Sequence, residues 1–153
     1  VPVMPALRPA VEAAARASGL GAALRIVDGQ SHAVLAACDL SLVASGTATL
    51  EAALCKRPMV IAYAMHWLSW QIMRRQQLQP WVGLPNILCR EFVVPELLQN
   101  AASPAALARA LLHWLEQPQR VQALTERFCA LHHELRRDTA TLATDAIQQL
   151  LTH

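Results

Sequence analysis

The stretch Asp39-Leu40-Ser41-Leu42-Val43-Ala44-Ser45-Gly46-Thr47-Ala48-Thr49-Leu50-Glu51 decides how this chain is read. Leu40 to Ala44 is a short apolar run, the pattern of a buried strand. Gly46 lets the backbone turn sharply and approach a ligand closely, while the Ala, Leu and Glu that follow favour a helix from Thr47. A helix that begins where a strand ends offers N–H groups with no intrahelical partner, beside the positive end of its dipole. That combination is an anion site. Ser45 and Thr47 add hydroxyl donors, and Glu51, about one turn into the helix, is placed to accept from a sugar hydroxyl. The spacing suits a nucleotide diphosphate with its ribose. An N-capped helix after a core strand accounts for the same residues without any ligand.

Outward from this stretch, short aliphatic runs alternate with helical patterns. Strands are expected at Pro2 to Met4, Leu24 to Val27, Leu40 to Ala44 and Met59 to Tyr63. Helices are expected from Ala6 to Ser18 with Gly19 as cap, Ser31 to Ala37, Thr47 to Leu54, Trp67 to Leu78, and Pro104 to Glu116 with Ser103 as cap. Helical pattern then runs from Arg120 almost to the end. Asp28-Gly29 reads as a turn, and Arg57-Pro58 separates the Glu51 helix from the next strand, since a residue before proline avoids the helical region. Pro80 to Asn86 reads as irregular, and Pro95 to Gln99 follows it. The alternation implies parallel strands, right-handed crossovers and a ligand at the strands' carboxyl ends, where Ser45, Gly46 and Thr47 fall. The expected fold is α/β, a Rossmann-like parallel sheet flanked by helices, forming one domain over 1–153 with a helical tail from about residue 103.

The chain has 153 residues, 54% hydrophobic and 16% charged, enough to bury a sizeable core and far from a disordered composition. Its net charge of +2 is too weak to indicate nucleic acid. Cys38, Cys55, Cys89 and Cys129 form no C-x-x-C pair and have mostly apolar neighbours, so they read as reduced core cysteines of a cytoplasmic protein. Val1-Pro2-Val3-Met4 reads as the end of a strand that starts elsewhere, and the expectation is a piece of a longer protein. The nearly apolar run Met59 to Trp70 is too short to span a bilayer.

Four segments in order carry a family resemblance: the opening stretch, Arg57-Pro58-Met59-Val60-Ile61-Ala62-Tyr63, Gly83-Leu84-Pro85-Asn86-Ile87-Leu88, and Val94-Pro95-Glu96-Leu97-Leu98-Gln99. Together they resemble lipid-A-disaccharide synthases. The S-G-T-x-x-x-E piece recurs in related nucleotide-sugar proteins, but L-P-N-I-L followed by P-E-L-L-Q at this spacing is far more specific. The likeness runs through most of the chain, up to the helical tail.

The resemblance implies the C-terminal, donor-binding half of a GT-B glycosyltransferase, with the N-terminal Rossmann-like half outside this chain. The implied reaction joins UDP-2,3-diacylglucosamine to 2,3-diacylglucosamine 1-phosphate with inversion, giving a β(1→6) disaccharide and UDP in lipid A synthesis. No cofactor and no metal are implied. Ser45, Gly46 and Thr47 would bind the diphosphate, Glu51 the ribose or nearby hydroxyls, and Asn86 would lie in the donor site close to the reacting sugar. The catalytic base would belong to the N-terminal half, so this half holds no catalytic residue and is expected to be inactive alone. Expected partners are the two lipid substrates, the N-terminal half, a membrane surface and a second copy in a homodimer, with no nucleic acid. The implied location is the cytoplasmic face of the inner membrane, as a peripheral protein. The chain departs from the family's A-G-R-E after Asn86, with Cys89 and Arg90 where Ala and Gly are common, so roles for Arg90 and Glu91 do not follow. Ala64 likewise replaces a frequent basic residue.

Trp67 and Trp70, with Arg74 and Arg75 behind them, suit the boundary between acyl chains and headgroups, although an amphipathic helix covering the sheet gives the same pattern. His132-His133-Glu134 lacks the i, i+4 spacing of a zinc pair. Leu107, Leu111, Leu112, Trp114, Leu115, Leu124, Phe128 and Leu131 have helical spacing and are expected in the core or between helices. Two other readings remain at this stage: a UDP-sugar 2-epimerase-like enzyme sharing the fold, and a noncatalytic nucleotide-binding module.

Overall fold

The computed structural model describes residues 1–76 and 79–151. Its first strand β1 (Pro2–Val3) leads through a 3-10 turn into α1 (Arg8–Ala17), and β2 (Val27–Asp28) is followed by α2 (Ser31–Ala37). Next come β3 (Ser41–Ala44), α3 (Thr47–Leu54), β4 (Met59–Tyr63) and α4 (Trp67–Gln76). The remainder is α5 (Leu84–Cys89), β5 (Glu96–Leu98), α6 (Pro104–Leu115), α7 (Pro118–Leu135) and α8 (Thr139–Leu151). β1 pairs with β2, and β3, β4 and β5 pair in that order; every one of these pairings is parallel. Val43 lies opposite Ile61, and Ile61 opposite Glu96, so Ala44, Tyr63 and Leu98 end their strands along one edge. That edge carries the candidate site.

Several elements differ from the sequence reading for local reasons. The second strand begins only at Val27, because Gly21–Ala23 wind into a 3-10 turn ahead of it. Pro5–Leu7 form another 3-10 turn, so the first α-helix starts at Arg8, with Pro9 in its first turn, where a missing N–H costs nothing. The irregular stretch ends at Gly83: Pro85 sits in the first turn of α5, a position that proline favours. Glu96–Leu98 is a strand that its three residues do not announce, formed because β4 offers a parallel edge. The expected end of α4 at Leu78 lies outside the described residues. The tail splits between α7 and α8, and α8 is capped by Asp138, whose carboxylate accepts from the Thr141 N–H (3.2 Å) and hydroxyl (2.7 Å). Those bonds hold the Asp138 carboxyl below its ordinary range.

The core sits around β4. Met59, Val60 and Ile61 are all 0% exposed, which means that both faces of this strand are covered, as a parallel sheet requires. Ala52 and Ala53 of α3, Cys89, Val94, and Trp114, Leu124, Phe128 and Leu131 of α6 and α7 complete the cluster. The Trp114 indole donates to the Met59 carbonyl (3.1 Å) and ties α6 to the amino end of β4. Leu107 and Leu111 pack against the cluster as expected, whereas Leu112 and Leu115 are 54% and 62% exposed. The α6 stripe that meets the sheet is therefore narrower than its apolar pattern. All four cysteines are unpaired, and burial pushes the Cys38 and Cys89 thiols up. His132 faces Lys56, whose ammonium lies 2.5 Å from His132 Nδ1 and donates to the Leu54 carbonyl, tying the end of α3 to α7.

Candidate functional site

The site is built at the carboxyl end of β3. Gly46 caps α3 with φ 137° and ψ −164°, a conformation open to glycine and strained for any other residue. Nothing lies within 4 Å of where a Cβ would stand, so the turn faces open space. Among the described residues no side chain caps the helix start, so the Thr47 and Ala48 N–H groups have no acceptor, while that of Thr49 donates to the Gly46 carbonyl (3.1 Å). The turn is fixed from beneath by Thr49, which is fully buried and donates its hydroxyl to the Gly46 carbonyl (2.7 Å). Thr49 was not singled out from sequence. The signal was its place three residues after a helix-opening Gly, where a hydroxyl can reach back.

Thr47 is exposed and Ser45 half-buried, and among the described residues neither hydroxyl has a hydrogen-bond partner. Glu51 lies one turn on from Thr47, on the same face of α3, half-buried and with its carboxylate likewise unpaired. Ser45, Gly46, Thr47 and Glu51 are thus brought together with donors and acceptor free.

Asn86 is placed differently from a group open to a sugar. It is 0% exposed, and its carboxamide is fully used: Nδ2 donates to the Val94 carbonyl (2.9 Å) and Glu96 Oε1 (2.7 Å), while Oδ1 accepts from the N–H groups of Val93 (2.9 Å) and Val94 (3.0 Å). The side chain fastens α5 to the segment that enters β5. Glu96, which the sequence reading quoted without a role, also accepts from the N–H groups of Val82 (2.9 Å) and Gly83 (2.8 Å). Only the fold reveals this partnership, because a strand residue caps a helix that precedes it by more than a turn of chain.

At the ends of β4 and β5, the Gln99 side chain accepts from the Met65 N–H (3.2 Å) and holds the segment that leads into α4. Along α4, Trp67, Leu68 and Ile72 are 67%, 51% and 52% exposed, with Arg74 and Arg75 also exposed. Trp70 is half-buried. The open apolar face therefore consists of Trp67, Leu68 and Ile72, and the two tryptophans do not share it. Among the described residues, no helix is long and apolar enough to cross a membrane.

The comparisons with known proteins agree with the motifs that carry this site. A family model described as lipid-A-disaccharide synthetase matches residues 2–149. A lipid-A-disaccharide synthase of Albidiferax ferrireducens is 67% identical over 99% of this chain and 40% of its own length. One from Verminephrobacter eiseniae is 62% identical over 100% of the chain and 40% of its own length, and one from Paraburkholderia xenovorans is 50% identical over 97% and 39%. The chain thus spans about 40% of the length of these relatives. With a match this long, and with its glycine turn, free helix start and L-P-N segment in place, the chain belongs to the lipid-A-disaccharide synthetase family.

Proposed function

We propose that this chain is the donor-binding part of a lipid-A-disaccharide synthase, and that the start of α3 receives the pyrophosphate of a UDP-2,3-diacylglucosamine donor. The observation that carries the reading is the uncapped helix start beyond Gly46, open to solvent at the strand ends. Ser45 and Thr47 add hydroxyl donors to the phosphate oxygens, and Glu51 accepts from the ribose or a neighbouring hydroxyl. The family match sets this reading above an epimerase.

In the proposed reaction, the 6-hydroxyl of a 2,3-diacylglucosamine 1-phosphate acceptor attacks the donor's anomeric carbon from the face opposite the pyrophosphate. The sugar–phosphate bond breaks with inversion and UDP leaves with the bonding electron pair. Negative charge grows on the phosphate oxygens as it goes. Preorganised N–H groups stabilise that charge without reorganising, and one such donor is typically worth about 2.7–4 kcal/mol in the transition state. The base that takes the acceptor's proton is assigned to the portion of the relatives that this chain does not cover. On α4, Trp67, Leu68 and Ile72 with Arg74 and Arg75 are assigned to contact with an anionic membrane surface, from which a lipid donor and acceptor would be drawn.

The test is disaccharide formation by a polypeptide of the relatives' full length, with the 153 residues alone as comparison. The full-length protein should form the disaccharide and UDP, Gly46→Val should abolish this, and the short chain should show none. Product formation by the short chain, or full activity in Gly46→Val, contradicts the assignment.

A further inference from the structure

The helices α3 and α5 pack against each other, and their starts are treated in opposite ways. α3 opens without a cap, whereas the start of α5 is filled from within the protein. Glu96 accepts from the Val82 and Gly83 N–H groups at 2.9 and 2.8 Å and from Asn86 Nδ2 at 2.7 Å, and among the described residues it has no cationic partner. A half-buried carboxylate is retained in such a place only when several N–H groups replace its water. Asn86 completes the unit by giving both halves of its carboxamide to Val93, Val94 and Glu96. α5 has six residues, too few to hold a helix by its own hydrogen bonds, so its place depends on this anchoring and on packing. It packs against α3 on one side, and at Gly83 it sits directly over Ile61 of β4.

We propose that Asn86 and Glu96 are a positioning pair for the donor site: they touch no donor, but hold α5 against α3 and so set where the amides after Gly46 point. This rests on the reading of the α3 start as the pyrophosphate cradle. It also gives the L-P-N and P-E-L-L-Q segments one shared task, in which neither side chain need face the sugar.

The two side chains act through a donor–acceptor polarity that can be exchanged. Asn86→Asp places an acceptor against Glu96 Oε1 and the Val94 carbonyl, whereas adding Glu96→Gln restores a donor between the two side chains, at the cost of turning that amide toward the Gly83 N–H and with the Val94 carbonyl still opposed. In a polypeptide of the relatives' full length, UDP is titrated into wild type, Asn86→Asp, Glu96→Gln, the double variant and Gly46→Val, with thermal midpoints measured in parallel. UDP binding by wild type and its loss in Gly46→Val hold the cradle reading in place; absence of wild-type binding removes that reading and this proposal with it. Asn86→Asp should weaken UDP binding about tenfold, the size of one lost charge-assisted hydrogen bond, and the double variant should recover part of that loss. The KM for the donor should rise while that for the acceptor stays, a split that general destabilisation does not produce. Glu96→Gln, the milder change, gives the same direction if Asn86→Asp does not fold. Folded single variants with wild-type UDP affinity, or a double variant no better than the worse single, overturn the proposal.

Discussion

Gly46 combines two properties that pull in the same direction. Its backbone lies where a side chain is strained, yet the space a side chain would occupy is empty. Strain of this kind costs about 1–3 kcal/mol and persists only where the surroundings enforce it. Packing does not require glycine there; the backbone turn does, and the turn is what aims the α3 amides outward. Gly46→Ala should therefore lower stability by about 1–3 kcal/mol, read from denaturant midpoints, and weaken UDP binding beyond that loss. A variant as stable and as tight-binding as wild type would show that the turn is not under strain. At this scale the turn was legible, since the strand end at Ala44, the glycine conformation at Gly46 and the helix start at Thr47 follow from local backbone rules. Asn86 and Glu96 were not, because their roles come from each other across a fold boundary and from hydrogen bonds that no spacing encodes.

Elements with strong local instructions appear where their residues place them: α2 and α3 occupy the expected spans, and β4 runs from Met59 to Tyr63. Those that depend on a neighbour do not. β5 exists because Ile61, Ala62 and Tyr63 offer it a parallel edge, and α5 because Glu96 caps it from outside. Leu112 and Leu115 show the converse: helical spacing marks a stripe, but only the sheet's width decides how much of it is covered. Of the glycines, Gly83 has the closest surroundings: a Cβ there would lie 2.2 Å from Ile61 Cδ1 and 3.2 Å from Glu96 Oε1. Overpacking a rigid core typically costs about 1–3 kcal/mol. Gly83→Ala should destabilise by that amount, and Ile61→Val, which removes the clashing methyl, should restore part of it in the double variant. Strictly additive losses in thermal unfolding would mean that the two residues do not meet.

Over the whole molecule, the strands β3, β4 and β5 end along one edge, the free helix start follows β3 there, and the segment leaving β4 leads to α4, whose Trp67, Leu68 and Ile72 are exposed. The membrane role proposed for α4 is tested at this scale. Replacing Trp67, Leu68 and Ile72 together by Ser should reduce sedimentation with anionic phospholipid vesicles several-fold and leave UDP binding in solution unchanged; unaltered vesicle binding by the folded variant would remove the membrane role from α4. Trp70→Ser, by contrast, acts on a half-buried side chain and should lower the thermal midpoint more than it changes vesicle binding. The most direct test of the account is an amide chemical-shift titration of the full-length protein with UDP. The amides of Thr47 and Ala48 should shift the most and saturate together with the ribose-dependent response at Glu51. Saturable UDP binding that leaves Thr47 and Ala48 unmoved would contradict the central claim.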